Sequence, residues 1–104
     1  MKRILILTAL SAMGVLASGA AAANADLAKS KLCLNCHAID KKVVGPAFKD
    51  VAAKYKGDAG AAARLAAKVQ KGGAGVWGNV PMPPNPAVTE AEAKQLVDWV
   101  LGIK

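Results

Sequence analysis

The sequence is poor in the side chains from which most catalytic and metal sites are built. It contains one histidine and two cysteines. A structural zinc site needs four good ligands, so this inventory argues against one. No strand pattern precedes the cysteines, which argues against a thioredoxin-like thiol switch. Arginine is nearly absent beyond the first residues and the lysines are scattered, which argues against a nucleic-acid target.

Aromatic residues are also scarce, because Phe48, Tyr55, Trp77 and Trp99 supply all of the aromatic bulk. A domain of this size buries a modest fraction of its surface and is only marginally stable. The shortage favours a bound apolar group that completes the core. The sequence shows no internal repeat and no low-complexity tract beyond its first residues.

The beginning of the chain has the pattern of a secretory signal peptide, in which two basic residues precede an apolar run over 4–17 and then small residues. Cleavage sites end at Ala22 and Ala23, and the second is favoured because a helix start follows it. The alternative is a retained membrane anchor, for which the alanine-rich end is poorly suited. We predict a cleaved signal peptide over 1–23, a single domain over 24–104 and a periplasmic location.

Two cysteines three positions apart, Cys33 and Cys36, are followed directly by His37. This is the pattern by which haem is attached covalently, because the thiols add across its vinyl groups and the imidazole binds the iron. A plain disulfide would use both thiols but would leave His37 unexplained. Thiols this close would form a disulfide in an oxidising compartment unless another reaction consumed them, so export and haem attachment support each other.

The other face of the iron needs a second ligand, and Met82 is the only methionine left once the signal is removed. Most methionines fill gaps in cores. Met82, however, lies between prolines in a stretch over 72–86 that is dense in glycine and proline and predicts no helix. A loop this long in a small domain is either disordered or functional. We predict that Met82 binds the iron.

Apolar residues recur at helical spacing in the rest of the chain and predict four short helices. The last is the best signalled, because Thr89 and Glu92 have the spacing of a capping box. Trp99 is expected at the edge of that helix's apolar stripe, against a neighbouring helix. The first three helices are expected to start at an N-cap Asp26, at Pro46, and at Asp58 or Gly60, and the second and third to end at Gly57 and at Gly72-Gly73.

From about residue 24 to 104 the chain resembles the small bacterial class I cytochromes c, the short-chain periplasmic monohaem group. The motif over 33–37 is common to all c-type cytochromes. The strings Gly-Val-Trp-Gly over 75–78 and Pro-Met-Pro-Pro-Asn over 81–85 are more specific to this group. Gly45-Pro46 and the helix that contains Trp99 match as well. The resemblance implies an all-α fold, about four short helices wrapped around one covalently bound haem.

The same resemblance implies the ligand set. Cys33 and Cys36 would hold haem c through thioethers, His37 would be the proximal iron ligand and Met82 the distal one. The carbonyl of Pro46 would accept a hydrogen bond from the other ring nitrogen of His37, which fixes the ring orientation.

Three further contacts are implied by the resemblance. The indole of Trp77 would donate to a haem propionate, and Asn85 would form a hydrogen bond near the methionine sulfur. Lys68 stands where many members have arginine, so a single salt link to a propionate is the most to expect. Pro86 adds a residue relative to some members, which changes the loop after Asn85.

An iron with both axial positions filled has no open site for a substrate. We therefore expect a soluble, monomeric periplasmic one-electron carrier and not an enzyme. The alternative is a haem protein in which Met82 is displaced, which would make it a ligand-binding protein or an enzyme.

Partners of such a carrier would dock transiently, as weak redox encounters do. A periplasmic reductase, a terminal oxidase and a quinol-oxidising complex are the classes expected. The net charge of +7 falls to +5 once Lys2 and Arg3 are removed, which biases encounters toward acidic partners. Neither nucleic acid nor stable membrane insertion after signal removal is expected.

Overall fold

A computed structural model of the chain describes residues 16–104, with side chains from residue 19 onward. This part of the chain is predominantly helical, as predicted, with one small antiparallel sheet added. The elements are α1 (Leu16–Ser30), a 3₁₀ helix (Cys33–Asn35), α2 (Phe48–Lys54), α3 (Ala61–Lys71), β1 (Gly73–Gly75), β2 (Gly78–Met82) and α4 (Glu90–Leu101).

Helix α1 does not begin at Asp26, so the predicted N-cap is wrong. The helix already spans Leu16–Ser30, because alanines favour helix on both sides of the predicted cleavage sites. Residues 19–23 are exposed, and burial begins at Asn24. The side chain of Asn24 accepts a hydrogen bond of 2.6 Å from Gln95 in α4. Packing of α1 onto the domain therefore starts at Asn24.

Helix α2 begins at Phe48, two residues after the predicted start at Pro46. The backbone N–H of Phe48 donates to Ala38 at 2.9 Å, so the loop before α2 still bonds to the segment that follows the cysteine motif. Helix α2 ends at Lys54, three residues before the predicted end at Gly57, which has a φ of 79° in the turn that follows. Helix α3 confirms the predicted limits, with Gly60 before it and Gly72 after it.

The stretch over 72–86 contains a hairpin and not only a loop. β1 pairs with β2 in antiparallel fashion, with Gly73 opposite Met82 and Gly75 opposite Gly78, and the register shifts between these pairs. Glycine and proline dominate both strands, so the alternation that identifies a strand from sequence is absent. The hairpin places Met82 at the end of a hydrogen-bonded strand.

Helix α4 has the predicted capping box. The N–H of Glu92 donates to the Thr89 hydroxyl at 3.1 Å, and the N–H of Thr89 donates to the Glu92 carboxylate at 3.0 Å. This bond to the Thr89 backbone is the main reason why the pKa of Glu92 is lowered. Lys31 lies 3.4 Å from the same carboxylate and joins the end of α1 to the start of α4.

The core lies between α1, α4 and the segment just before α4, with Ala28, Val88, Ala93 and Leu96 at its centre. Trp99 packs against this cluster and meets the Phe48 ring edge-on at 5.7 Å, as expected for the edge of the α4 stripe. Within residues 16–104, the helices are too short or too polar to cross a bilayer.

Leu32 precedes the cysteine motif with a φ of 65°, which is the left-handed region. Its side chain is 65 % exposed, so its packing contributes little free energy to offset this strain. Such strain costs ~1–2 kcal/mol in a non-glycine residue. A change to glycine removes this cost, but part of the gain is lost because glycine has more conformational freedom in the unfolded chain. Leu32→Gly is therefore expected to raise the free energy of unfolding by about 0.5–1 kcal/mol.

Guanidinium unfolding of the haem-loaded protein measures this change. Leu34→Gly is the matched control, because Leu34 is also exposed and its φ is not positive. It should destabilise the protein. A Leu32→Gly variant that loses as much stability as Leu34→Gly would contradict the strain argument.

Candidate functional site

The two cysteines and the histidine form one compact turn. The N–H of Cys36 donates to the Cys33 carbonyl at 3.2 Å, and the N–H of His37 donates to the same carbonyl at 3.0 Å. Both cysteine side chains are partly buried. Burial raises the pKa of the Cys33 thiol, so a neutral thioether suits this position better than a thiolate.

The ring of His37 is fixed by two contacts. Its Nδ1 lies 2.7 Å from the Pro46 carbonyl. A carbonyl can only accept, so Nδ1 carries the proton and Nε2 keeps its lone pair for a metal. The ring also stacks on Phe48, with centroids 4.9 Å apart and planes inclined by 20°. Together these contacts set the tautomer and the orientation of the imidazole.

Gly45 lies directly against the His37 ring. A Cβ at this position would be 2.5 Å from Cε1 and 2.9 Å from Nδ1 of His37. The loop is held there because the N–H groups of Val44 and Gly45 donate to the Cys36 carbonyl at 3.1 and 2.7 Å. The absence of a side chain at Gly45 therefore lets the Pro46 carbonyl reach the ring.

The cysteine motif and the hairpin meet at one cavity of about 380 Å³. Its lining is mostly apolar and includes Cys33, Cys36, His37 and Met82. The predicted iron ligands thus come to one space from elements far apart in sequence.

The residues around this cavity fit a haem group. Half of the ten buried apolar residues in the described part are alanines, and none of its large side chains is fully buried. Larger apolar side chains, among them Leu65, Val69 and Trp99, line the cavity instead. A flat apolar group attached to the two thiols would complete the core that the side chains leave thin.

Basic and aromatic side chains also lie at the cavity. Trp77, in the hairpin turn, is 42 % exposed, and the Lys54 ammonium lies 5.6 Å from its ring centroid. Lys68 lines the same cavity, and its Cε lies 3.1 Å from where a Cβ of Gly73 would be. Contacts from Trp77 and Lys68 to propionates stay predictions.

Asn85 forms hydrogen bonds to backbone carbonyl groups. Its side-chain amide donates to the Val69 carbonyl at 2.9 Å and, more weakly, to the Pro83 carbonyl at 3.4 Å. Its backbone N–H lies 3.2 Å from the carbonyls of Val69 and Gln70. Asn85 therefore ties the methionine loop to the end of α3, and a hydrogen bond near the Met82 sulfur stays a prediction.

The chain matches the family model described as cytochrome c over residues 21–104. The chain belongs to the cytochrome c family. It is 52 % identical to cytochrome c-552 of Nitrosomonas europaea over 94 residues, which cover 90 % of this chain and 91 % of that protein. It is 63 % identical to cytochrome c-551 of Azotobacter vinelandii over 79 residues, 76 % of this chain and 95 % of that protein.

Solved structures agree with this assignment. The wild-type cytochrome c552 of Nitrosomonas europaea superposes with a TM-score of 0.75 at 55 % identity, over 77 % of this chain and 99 % of that one. The class 1 cytochrome MtoD of Sideroxydans lithotrophicus has a TM-score of 0.68 at 34 % identity, with 79 % and 94 % covered. As a cytochrome c, the chain carries covalent haem c on its cysteine pair and transfers electrons.

No contact at the site was predicted from the sequence for three residues that the structure places in or beside it. Gly45 was noted only as part of a string that matches the family, Phe48 only as aromatic bulk, and Lys54 not at all. The string Gly45-Pro46, eight residues after the candidate ligand His37, is the one signal that could have indicated the close approach. The stacking of Phe48 and the position of Lys54 depend on how the elements pack.

Gly45→Ala tests the close contact with His37. The φ of Gly45 is not positive, so alanine is compatible with the backbone and only the clash with the ring changes. Overpacking of this kind costs ~1–3 kcal/mol, and we expect a loss of that size in the free energy of unfolding of the haem-loaded protein. The Nδ1 proton of His37 should also exchange faster with solvent, which NMR measures.

Gly102→Ala is the control, because the atoms nearest to an added Cβ there lie 3.5 Å away, an ordinary contact. It should change neither quantity. Equal effects of the two substitutions would show that the space beside His37 is not limiting.

Proposed function

We propose that this cytochrome c is a periplasmic one-electron carrier in which His37 and Met82 are the two axial iron ligands. The observation that carries the proposal is that both side chains line the cavity shared with the cysteine pair. Haem iron supplies reversible exchange between Fe(III) and Fe(II). With both axial positions taken by side chains, no position remains for a substrate, and for this reason we propose that the protein is not an enzyme.

The side chains tune this exchange in different ways. The hydrogen bond from His37 to the Pro46 carbonyl makes the imidazole a better electron-pair donor to the iron. Methionine ligation and an apolar lining both favour the reduced, less charged state and raise the potential. Trp77 and Lys68, at the same cavity, are the groups we propose for the propionates, and Asn85 keeps the Met82 loop in place.

A displaceable Met82, as in a ligand-binding protein or enzyme, is less well supported. Met82 lies in a strand paired with Gly73, and Asn85 anchors the chain beyond it. Such attachments oppose movement of Met82 out of the cavity. An electron carrier with a stable second ligand agrees better with this arrangement.

We propose that partners dock transiently through the basic surface. Lysines outnumber acidic side chains in the chain, so acidic redox proteins are the favoured partners. A periplasmic reductase, a terminal oxidase or a quinol-oxidising complex has the required chemistry. Such encounters bury little surface and dissociate rapidly. We also propose that the protein is a monomer.

Export is proposed with cleavage after Ala23. Residues 19–23 of α1 are exposed, whereas Asn24 is partly buried and bonded to Gln95. Removal of 1–23 would therefore leave the packing of 24–104 intact. Mass spectrometry of the periplasmic protein is expected to show a chain that begins at Asn24 and carries one haem. A chain that begins at Met1, or one without haem, would contradict the proposal.

Met82→Ala tests the ligand assignment. Attachment at the cysteines should persist, but the sixth position should open and the midpoint potential should fall, because the methionine ligand that raises it is gone. The oxidised form should lose its methionine-to-iron charge-transfer band, and the reduced form should bind carbon monoxide. Val80→Ala, a change in the same strand at a 65 % exposed residue, is the control. An unchanged band and potential in Met82→Ala would remove the assignment.

A further inference from the structure

Gly72 ends α3 and touches the strand that carries Met82. A Cβ at Gly72 would lie 2.5 Å from the Met82 carbonyl oxygen, 2.9 Å from the Pro84 nitrogen and 3.0 Å from the Pro83 carbonyl carbon. All three are backbone atoms, so none can turn aside as the end of a side chain can. Only glycine permits this approach between the end of α3 and the segment over 82–84.

The approach is separate from the backbone conformation that glycine also provides. Gly72 has a φ of 76°, and Gly57 has a φ of 79°. An added Cβ at Gly57 would meet nothing within 4 Å. Both glycines therefore have a positive φ, which glycine adopts more readily than other residues, and the ψ of Gly72 is 179°. They differ in whether a neighbouring backbone segment occupies the space of an added Cβ.

The end of α3 also forms hydrogen bonds with the chain that follows Met82. The backbone N–H of Asn85 lies 3.2 Å from the carbonyls of Val69 and Gln70, and its side-chain amide donates to Val69 at 2.9 Å. Gly73, just after the helix, pairs with Met82 across the hairpin. The last turn of α3 thus holds the segment at Met82 and again three residues later.

Prolines on both sides of Met82 limit how the segment can adjust. Pro81 and Pro83 each fix their own φ and restrict the residue before them. A push on the Met82 carbonyl therefore moves the residue as a unit instead of being absorbed by rotation nearby. The side chain in the cavity moves with it.

From these contacts we propose that Gly72 is a positioning residue, which holds the Met82 side chain in the cavity through the close contact of its backbone with residues 82–84. The proposal rests on the assignment of Met82 as an iron ligand. Its consequence is that the end of α3 sets how firmly the second ligand is held.

The test compares Gly72→Ala with Gly57→Ala in the haem-loaded, oxidised protein. Both variants place alanine at a positive φ, and only the first puts a Cβ against the backbone of residues 82–84. Gly72→Ala should weaken the methionine-to-iron charge-transfer band and speed imidazole binding roughly ten-fold, because overpacking shifts the crowded backbone. Gly57→Ala should lose stability but keep the wild-type band and binding rate. Equal behaviour of the two variants would overturn the proposal.

Met82→Ala separates the failure of this proposal from the failure of the ligand assignment. If Met82→Ala keeps the charge-transfer band, the assignment is wrong, and the role of Gly72 falls with it. If Met82→Ala loses the band while Gly72→Ala matches Gly57→Ala, only the role of Gly72 is wrong.

A second pair of variants covers the case in which Gly72→Ala accumulates without haem. Asn85→Ala removes the side-chain bond to Val69 on the other side of Met82. Its control is Gln70→Ala, which removes a side-chain bond of 3.1 Å to the Val88 carbonyl, outside the Met82 strand. Faster imidazole binding in Asn85→Ala, but not in Gln70→Ala, supports the proposal that the end of α3 holds Met82 in place. Equal rates in the two variants would overturn it.

Discussion

The hydrogen bond of His37 to the Pro46 carbonyl is the contact on which the arrangement of the cysteine side of the cavity depends. It joins the end of the cysteine motif to the loop that leads into α2, over nine residues of chain. The loop returns to the motif because two consecutive N–H groups share the Cys36 carbonyl, and Phe48 then stacks on the same imidazole. A single ring orientation therefore fixes the entry to α2, and through Phe48 it also sets the contact with Trp99 of α4.

The core is small because few large side chains are buried in it. The buried centre between α1 and α4 is built largely from alanine, valine and leucine, and the larger side chains turn toward the cavity. In a domain of this length such a core is thin. The covalent haem of a cytochrome c is therefore a structural component as well as a redox group, and loss of its attachment would remove much of the apolar contact between helices.

The number of helices could be predicted from the sequence, whereas the hairpin and the close contacts could not, and the ligand set stays a prediction. Thr89 and Glu92 lie at the spacing of a capping box, and that local signal gave the start of α4 correctly. Pro46 gave a wrong start for α2, because the Pro46 carbonyl accepts a hydrogen bond from the His37 ring, and the local helix pattern does not reveal this contact. The hairpin around Trp77 was missed because glycine and proline carry no strand alternation. Family resemblance supplied the partners of His37, whereas for Asn85 the structure gives backbone partners at the end of α3.

Each of the two predicted ligands is in close contact with the backbone of a glycine. Beside His37 the backbone of Gly45 comes within the space of one methyl group of the ring, and beside Met82 the backbone of Gly72 does the same to the strand. In each case a hydrogen bond nearby fixes the position, from His37 to Pro46 in the first and from Asn85 to Val69 in the second. Rigid backbone supports suit a site that must change charge without moving its ligands, because any rearrangement of the ligands would add to the barrier for electron exchange. Glycine serves this purpose because the missing side chain lets a stiff backbone touch the ligand-bearing residue directly.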